Sequence, residues 1–312
     1  MSEYCKFYSY LTKHSIKLKD TQWTLIGDSR AARKSMFYIP ELDIMFDCGI
    51  HTDLKPTYIL ITHGHYDHTR ELPCYFFDDN KPTVFVPKSS EELITNFLTS
   101  AIKMSYNSYK INIKPTIIGI IIPAPNKTII YSELLNIKNT NFKLEIFKNT
   151  HSIATHGYGL IECHKCLNPI YNTPEYQDEN GKLDHKKLAK LKKSGKVDLN
   201  IVIEVPQVCY LLDTDHRMLY KDKNNKYPDE NIGKYKNIII ECTFIDDEHK
   251  CEAHDTKHML WSNLKPFILA FPESQFILCH FSMRYKDSEI IEFFKKENIK
   301  NVTPVIYDFD IK

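Results

Sequence analysis

The sequence predicts an α/β protein in which two mixed β-sheets pack face to face with helices outside, an αβ/βα sandwich. Three observations carry this. Short apolar runs bounded by turn residues recur along the chain and read as strands. Segments with helical apolar periodicity follow groups of strands. The strand-then-helix order occurs in two similar halves, with no fixed-period repeat of the solenoid kind.

Residues 7–18 are compatible with a short strand or a helix. Strands are predicted at Trp23–Ile26, Met36–Ile39 and Ile44–Asp47, the last ending on the turn Asp47-Cys48-Gly49. Tyr58–Ile61 is the next strand, and Thr83–Pro87 follows after Leu72-Pro73. Ser89–Met104 reads as a helix with Ser89 or Ser90 as cap and Leu93, Ile94, Phe97, Leu98 and Ile102 on one apolar face. Strands at 117–122, 142–148 and 158–162 lead into a polar stretch. From 200–204, 208–213 and 237–242 the strand pattern returns, helices are predicted at 248–268 and 287–298 (capped by Asp287 or Ser288), and strands at 275–280 and 303–307 complete the set.

The chain has 312 residues, enough for one large domain, and residues 1–312 are read as one. Apolar residues make up 42% and charged residues 26%, the balance of a globular enzyme. At a net charge of +1, no global electrostatic case exists for nucleic acid, so any basic surface must be local. The longest candidate span, Ile117–Ile122, carries Gly119 within it and Pro123 after it, so no membrane segment is expected. Nine cysteines at irregular spacing, with no apolar segment after Met1, suggest a reducing compartment. A soluble protein of the cytoplasm or nucleus is expected.

The chemistry concentrates in Thr62-His63-Gly64-His65-Tyr66-Asp67-His68, three imidazoles and a carboxylate within six residues behind an apolar strand. These are zinc-type ligands. In an extended segment His63 and His65 point the same way, and the following turn can bring Asp67 and His68 to a second nearby point. Further candidates follow apolar runs: His151 after Leu144–Phe147, Asp213 after Val208–Leu212, and His280 after Phe276–Cys279. Singly each is better explained as a structural or surface residue. Together they suffice for two metals if Asp213 bridges.

In this order and spacing, the residues resemble the metallo-β-lactamase superfamily. Within it, His151–Glu162, Glu241-Cys242-Thr243-Phe244, Ala253 with His258 five residues later, and His280–Tyr285 resemble ribonuclease Z, the tRNA 3′-processing endonuclease, in its short form. The resemblance implies two Zn2+ per chain, with Mn2+ as an alternative. One would be held by His63, His65, His151 and Asp213, the other by Asp67, His68, Asp213 and His280. It implies Asp67 as general base, Glu241 with His258 as the pair passing a proton to the leaving 3′-oxygen, and Asp47 as a partner orienting a ligand histidine. It further implies precursor tRNA as substrate and a homodimer. The chain departs from the family at Thr69-Arg70-Glu71, where small residues are usual, and at Lys257 and Met259, beside the donor histidine.

Residues 163–198 are read as an inserted lysine-rich arm. Lys182, Lys186, Lys187, Lys190, Lys192, Lys193 and Lys196 put seven lysines into fifteen residues. A charge run is ordinarily a solvated face. At this point in the fold the family carries an arm that grips tRNA, and lysine suits sequence-independent phosphate contact. Cys163-His164-Lys165-Cys166 is a lone CxxC, read as free thiols at the arm's root. Ser29-Arg30 and Arg33-Lys34 are further candidates for phosphate contact or an ordinary basic turn. The competing readings are a hydrolase of small phosphodiesters or thioesters, such as hydroxyacylglutathione hydrolase, and a non-catalytic RNA-binding relative.

Overall fold

Alternating apolar residues along the strands pair them into two sheets. The computed structural model describes residues 14–77, 81–112, 114–124, 127–131, 133–193, 199–221 and 227–306. The first sheet has seven strands in chain order: β1 (Ile16–Lys17), β2 (Thr24–Arg30), β3 (Lys34–Ile39), β4 (Ile44–Phe46), β5 (Tyr58–Leu60), β6 (Thr83–Pro87) and β7 (Thr116–Ile120). β1 to β4 are antiparallel and β4 to β7 parallel. The second contains β8 (Ile129–Ile130), β9 (Leu135–Ile137), β10 (Thr140–Lys148), β11 (His156–Leu167), β12 (Asn200–Leu211), β13 (Asn237–Glu241), β14 (Gln275–Cys279) and β15 (Val302–Pro304). Its order is β15-β14-β13-β12-β11-β10-β8, with β9 beside β10. The two-sheet sandwich is the fold expected from the sequence.

Period-two burial explains why the second sheet reads as nearly continuous apolar runs. Val208, Tyr210, Ile239, Ile277 and Cys279 join the core between the sheets. Their neighbours Cys209, Leu211, Ile238, Ile240, Phe276 and Leu278 face the outer layer with Leu264, Phe267, Ile268, Ile290 and Phe294 of the helices Trp261–Ala270 and Asp287–Glu297. On the first sheet, the helix Glu91–Ser105 buries Ile94, Leu98 and Ile102. Leu93, expected on that face, is 70% exposed.

Three boundaries differ from expectation for physical reasons. The strands at 200–204 and 208–213 are one strand, because a register shift opposite Pro206, which has no N–H to donate, absorbs the interruption. The helix expected over 248–268 is two, Lys250–Thr256 and Trp261–Ala270, broken where Lys257 turns left-handed at φ 58°. The last long helix is capped at Lys286, whose N–H donates to Glu289 at 2.7 Å, and not by Asp287 or Ser288.

The strand expected to stop at 162 continues to Leu167. Cys163 to Leu167 pair with Glu204 to Asn200 as a ribbon, while β13 joins β12 only from Val208. Three positions apart on a strand, Cys163 and Cys166 point to opposite faces and form no ligand pair. Beyond the ribbon the helix His185–Lys193 buries Leu188 against Tyr171 and Leu199, a small core of its own.

Candidate metal centre and proton-transfer pair

β10, β12, β13 and β14 all run the same way, as do β4 and β5, so their carboxyl ends collect at one rim of the sandwich. There the sheets are tied together. His280 N–H donates to Ser29 O at 3.1 Å and His156 N–H to Thr62 O at 2.9 Å. The Tyr158 hydroxyl donates to Ile61 O at 2.7 Å.

Each expected ligand lies just past one of these strand ends. His63 and His65 lie in the loop after β5, and the short helix Tyr66–Thr69 presents Asp67 and His68. Asp47, Asp213 and His280 follow β4, β12 and β14 and adopt left-handed backbone, with φ of 53°, 54° and 62°. This conformation turns each side chain into the rim. Gly49 permits the close packing, since a Cβ there would lie 1.6 Å from Asp67 O.

All seven residues converge, in two groups. Ligand atoms of His63, His65, His151 and Asp213 lie within 4.8 Å of one another, and so do those of Asp67, His68 and His280. Asp213 lies between the groups. Its Oδ2 is 3.4 Å from His63 Nε2 and 3.6 Å from His151 Nε2. Its Oδ1 is 3.3 Å from His68 Nε2 and 3.2 Å from His280 Nε2. Asp67 Oδ2 is 3.5 Å from His68 Nε2.

The donor set fits divalent cations. Asp213 Oδ1 is buried with no hydrogen-bond partner, a costly state for a carboxylate oxygen unless something else satisfies it. Burial, first among the causes, keeps His63, His65, His151 and His280 below the ordinary histidine range, so they are neutral at pH 7 and offer lone pairs. His68 is opposite in sign: burial is outweighed by Asp213 and Asp47, and its pKa is raised. Burial likewise opposes the Asp213 charge, but His280, His68 and His63 hold its carboxyl well below the usual range.

The outer ring nitrogens of His63, His68 and His280 are held from behind, which leaves the inner ones facing the centre. Asp47 Oδ2 is 2.8 Å from His68 Nδ1 and accepts from the Tyr210 hydroxyl at 2.9 Å, while Asp47 Oδ1 accepts from Thr62 N–H at 2.8 Å. Thr62 Oγ1 lies 2.9 Å from His63 Nδ1. Ser29 Oγ is 2.9 Å from His280 Nδ1 and 2.9 Å from Ser35 Oγ. Sequence reasoning expected Asp47 here, offered Ser29 only as a phosphate-contact candidate, and missed Ser35, Thr62 and Tyr210. Thr62 directly precedes the motif and could have been suspected; Ser35 has no local signal. Arg30 pairs with Asp287 at 3.3 Å and Lys34 pairs with Asp28, so that turn spends part of its charge within the fold. Asp47→Asn tests the backing directly, because Asn tolerates the left-handed backbone while losing the charge. Metal affinity in a chelator-competition titration is expected to fall about 10–100-fold with the thermal melt of the metal-free chain little changed.

Beside the centre, Glu241 is fully buried at the end of β13. His258 Nδ1 lies 2.9 Å from Glu241 Oε1 and 3.1 Å from Oε2. Met259 N–H and the Thr243 hydroxyl donate to Oε2 at 3.0 and 2.5 Å, and Thr214 N–H donates to Oε1 at 2.5 Å. The helix break at Lys257 is what delivers His258 to this carboxylate; the same break aims Lys257 Nζ at His151 O, 3.2 Å away. The His258 ring is 5.0 Å from that of His151 and 5.6 Å from that of His280. Burial disfavours the His258 cation, but Glu241 outweighs it and the pKa rises to about 9.

No family model matches the chain. It is 27% identical over 273 residues to tRNase Z TRZ1 of Arabidopsis thaliana, covering 85% of this chain and 87% of that protein. Among solved structures it resembles the short form of human tRNase Z with a TM-score of 0.50 and 18% identity, over 90% of this chain and 94% of that one. The chain has the metallo-β-lactamase fold and is similar in sequence to tRNase Z proteins. The superfamily fold extends to the Bacillus subtilis metallo-β-lactamase fold protein YhfI, with a TM-score of 0.51 and 12% identity over 89% of this chain and 94% of that one.

The expected arm residues lie elsewhere. Lys182, Lys186, Lys187, Lys190, Lys192 and Lys193 are exposed, and Lys196 falls outside the described residues. Lys186, Lys190 and Lys193 form one stripe on the helix His185–Lys193, opposite the buried Leu188. A cavity of ≈ 380 Å³ beside His151 is lined by Lys127, Lys148 and Arg217 as well as Ile122 and Ile153. The eight described cysteines are free thiols. No helix among the described residues is long and apolar enough to cross a membrane.

Proposed function

We propose that this chain is a metal-dependent endoribonuclease that removes the 3′ trailer from precursor tRNA, leaving a 3′-hydroxyl on the tRNA and a 5′-phosphate on the trailer. The observation carrying this reading is the division of Asp213, each carboxylate oxygen facing one histidine group, beside a separate Glu241–His258 pair. His63, His65, His151 and Asp213 would hold one cation and Asp67, His68, Asp213 and His280 the other; zinc suits a histidine-rich set, with manganese the alternative. Two divalent cations there would supply an acidified water and neutralise charge on the phosphoryl oxygens. Asp67 would accept the proton of the attacking water. His258, protonated at neutral pH through Glu241, would give its proton to the departing 3′-oxygen, a poor leaving group without one.

The arm, residues 163–198, is proposed as the tRNA grip. In a homodimer, one subunit's arm would hold the substrate that the other cleaves. Residence in the cytoplasm or nucleus fits this role. Deleting 182–196 is expected to weaken tRNA binding about tenfold or more near physiological salt and flatten its salt dependence, while sparing hydrolysis of a small phosphodiester. Filter binding and a chromogenic assay measure the two; equal loss of both would argue against a separate grip. The function itself is tested with a 3′-extended tRNA transcript, with and without chelator, beside a small phosphodiester and a thioester. Hydrolysis of the thioester with no trimming of the transcript would overturn the reading.

A further inference from the structure

Behind the wall of the metal centre, a second group of nitrogen, oxygen and sulfur donors comes together. His51 lies in the loop four residues past Asp47. Glu71 caps the 3-10 helix Leu72–Phe76, and Cys74 sits within that helix. Pro73 in the first turn and the bond from Cys74 N–H to Glu71 O at 3.0 Å set Glu71 and Cys74 side by side. Glu71 N–H donates to Cys48 O at 3.1 Å, which fixes the helix against the loop that carries His51.

One donor atom from each residue falls within 4.8 Å of the others. His51 Nδ1 is 3.1 Å from Glu71 Oε2, and Cys74 Sγ is 3.5 Å from the same oxygen. A tetrahedral zinc with bonds of about 2.0 Å to nitrogen and oxygen and about 2.3 Å to sulfur sets N···O edges near 3.3 Å and S···O edges near 3.5 Å. The two separations from Glu71 therefore match edges of such a site, and the His51 and Cys74 donors lie within 4.8 Å of each other. All three residues are only partly buried. Cavities open on both sides, one of ≈ 220 Å³ lined by His51, Thr52 and Cys74 and one of ≈ 550 Å³ lined by His51, Arg70 and Glu71, leaving room for solvent at a fourth corner.

We propose that His51, Glu71 and Cys74 form a third metal site, which takes a zinc-type divalent cation through the imidazole Nδ1, a carboxylate oxygen and the thiolate, with water completing the shell. Binding displaces the thiol proton to solvent. The site would be structural in effect. It would staple the loop after β4, which carries Asp47, to the segment 67–74, which carries Asp67 and His68.

Cobalt(II) separates this site from the main centre, because only a thiolate gives the sulfur-to-cobalt charge-transfer band in the near ultraviolet and the seven residues of the main centre include no cysteine. Metal-free full-length chain is titrated with Co2+ alone. A band with the amplitude of one thiolate-bound cobalt per chain is expected, with up to three equivalents bound in all because the main centre takes two, and it is lost in Cys74→Ser and shifted to about tenfold or more higher cobalt in His51→Asn. Cys163→Ser/Cys166→Ser should keep the band. No band in the unmodified chain, or a band that survives Cys74→Ser, would overturn the proposal. Circular dichroism confirms that each variant is folded, and His51→Asn carries the test if Cys74→Ser is not.

Discussion

Asp213→Asn is expected to release at least one of the two metal equivalents proposed for the main centre and to lower the rate of transcript cleavage by about 10²–10³-fold or more. One carboxylate faces both histidine groups. Its Oδ2 serves the side with His63 and His151, and its Oδ1 serves the side with His68 and His280. Asparagine keeps one acceptor oxygen, replaces the other by a donor amide that points N–H groups at ligand nitrogens, and removes the negative charge. Both groups lose a ligand or gain a repulsive contact. Stability supplies a second readout, because a cation that binds only the folded chain raises its stability by about 2.7 kcal/mol at a hundred times its Kd. That gain, followed as a melting shift on adding zinc, should be much reduced in Asp213→Asn. Unchanged metal content by elemental analysis would dismiss the bridging role.

His258→Ala is expected to lower kcat about 10²–10⁴-fold while metal content stays at the unmodified level. A ligand atom of the residue lies within 4.8 Å of those of Asp213 and His280, at the edge of the centre, but its Nδ1 is engaged by Glu241. The pair also predicts a pH signature. A histidine that must give up a proton works in its protonated form, so activity should decline as pH rises through its pKa, near 9 with Glu241 in place. Burial opposes that charge and Glu241 sustains it. Glu241→Gln removes the sustaining partner, and the alkaline limb should move to lower pH. A full pH–rate profile for both chains decides the point; an unmoved limb would mean that Glu241 does not tune the donor.

Legibility in the sequence followed chain locality. His63 to His68 could be read at once, because their spacing is itself the geometry. His151, Asp213 and His280 were legible as residues past apolar runs, since parallel strands deliver their ends to one rim. The supporting groups were harder. Ser29 and Ser35 reach His280 across some 250 residues, through a contact between strand ends of opposite sheets that no local pattern encodes. The break at Lys257 was hidden because residues on both sides favour helix and long-range contacts separate them, His258 and Met259 to Glu241 and the backbone of 259–261 to Phe244. The continuation of β11 past Glu162 was hidden by composition, since a ribbon open to solvent on both faces need not be apolar.

Asp47, Asp213 and His280 each hold a backbone conformation that residues with a Cβ enter at a cost of order 1–3 kcal/mol. Glycine would relieve that cost at all three places, and would leave the rim without a supporting carboxylate, a shared ligand or an imidazole. Fold and chemistry thus ask for different residues at the same positions. A library of the metal-free chain sorted for thermal stability should drift toward glycine or asparagine at Asp213, whose Oδ1 is buried without a partner, more than at Asp47, which accepts from Thr62 and Tyr210, and lose cleavage as it does so. One sorted for cleavage should retain the three residues and accumulate compensating substitutions elsewhere in the core.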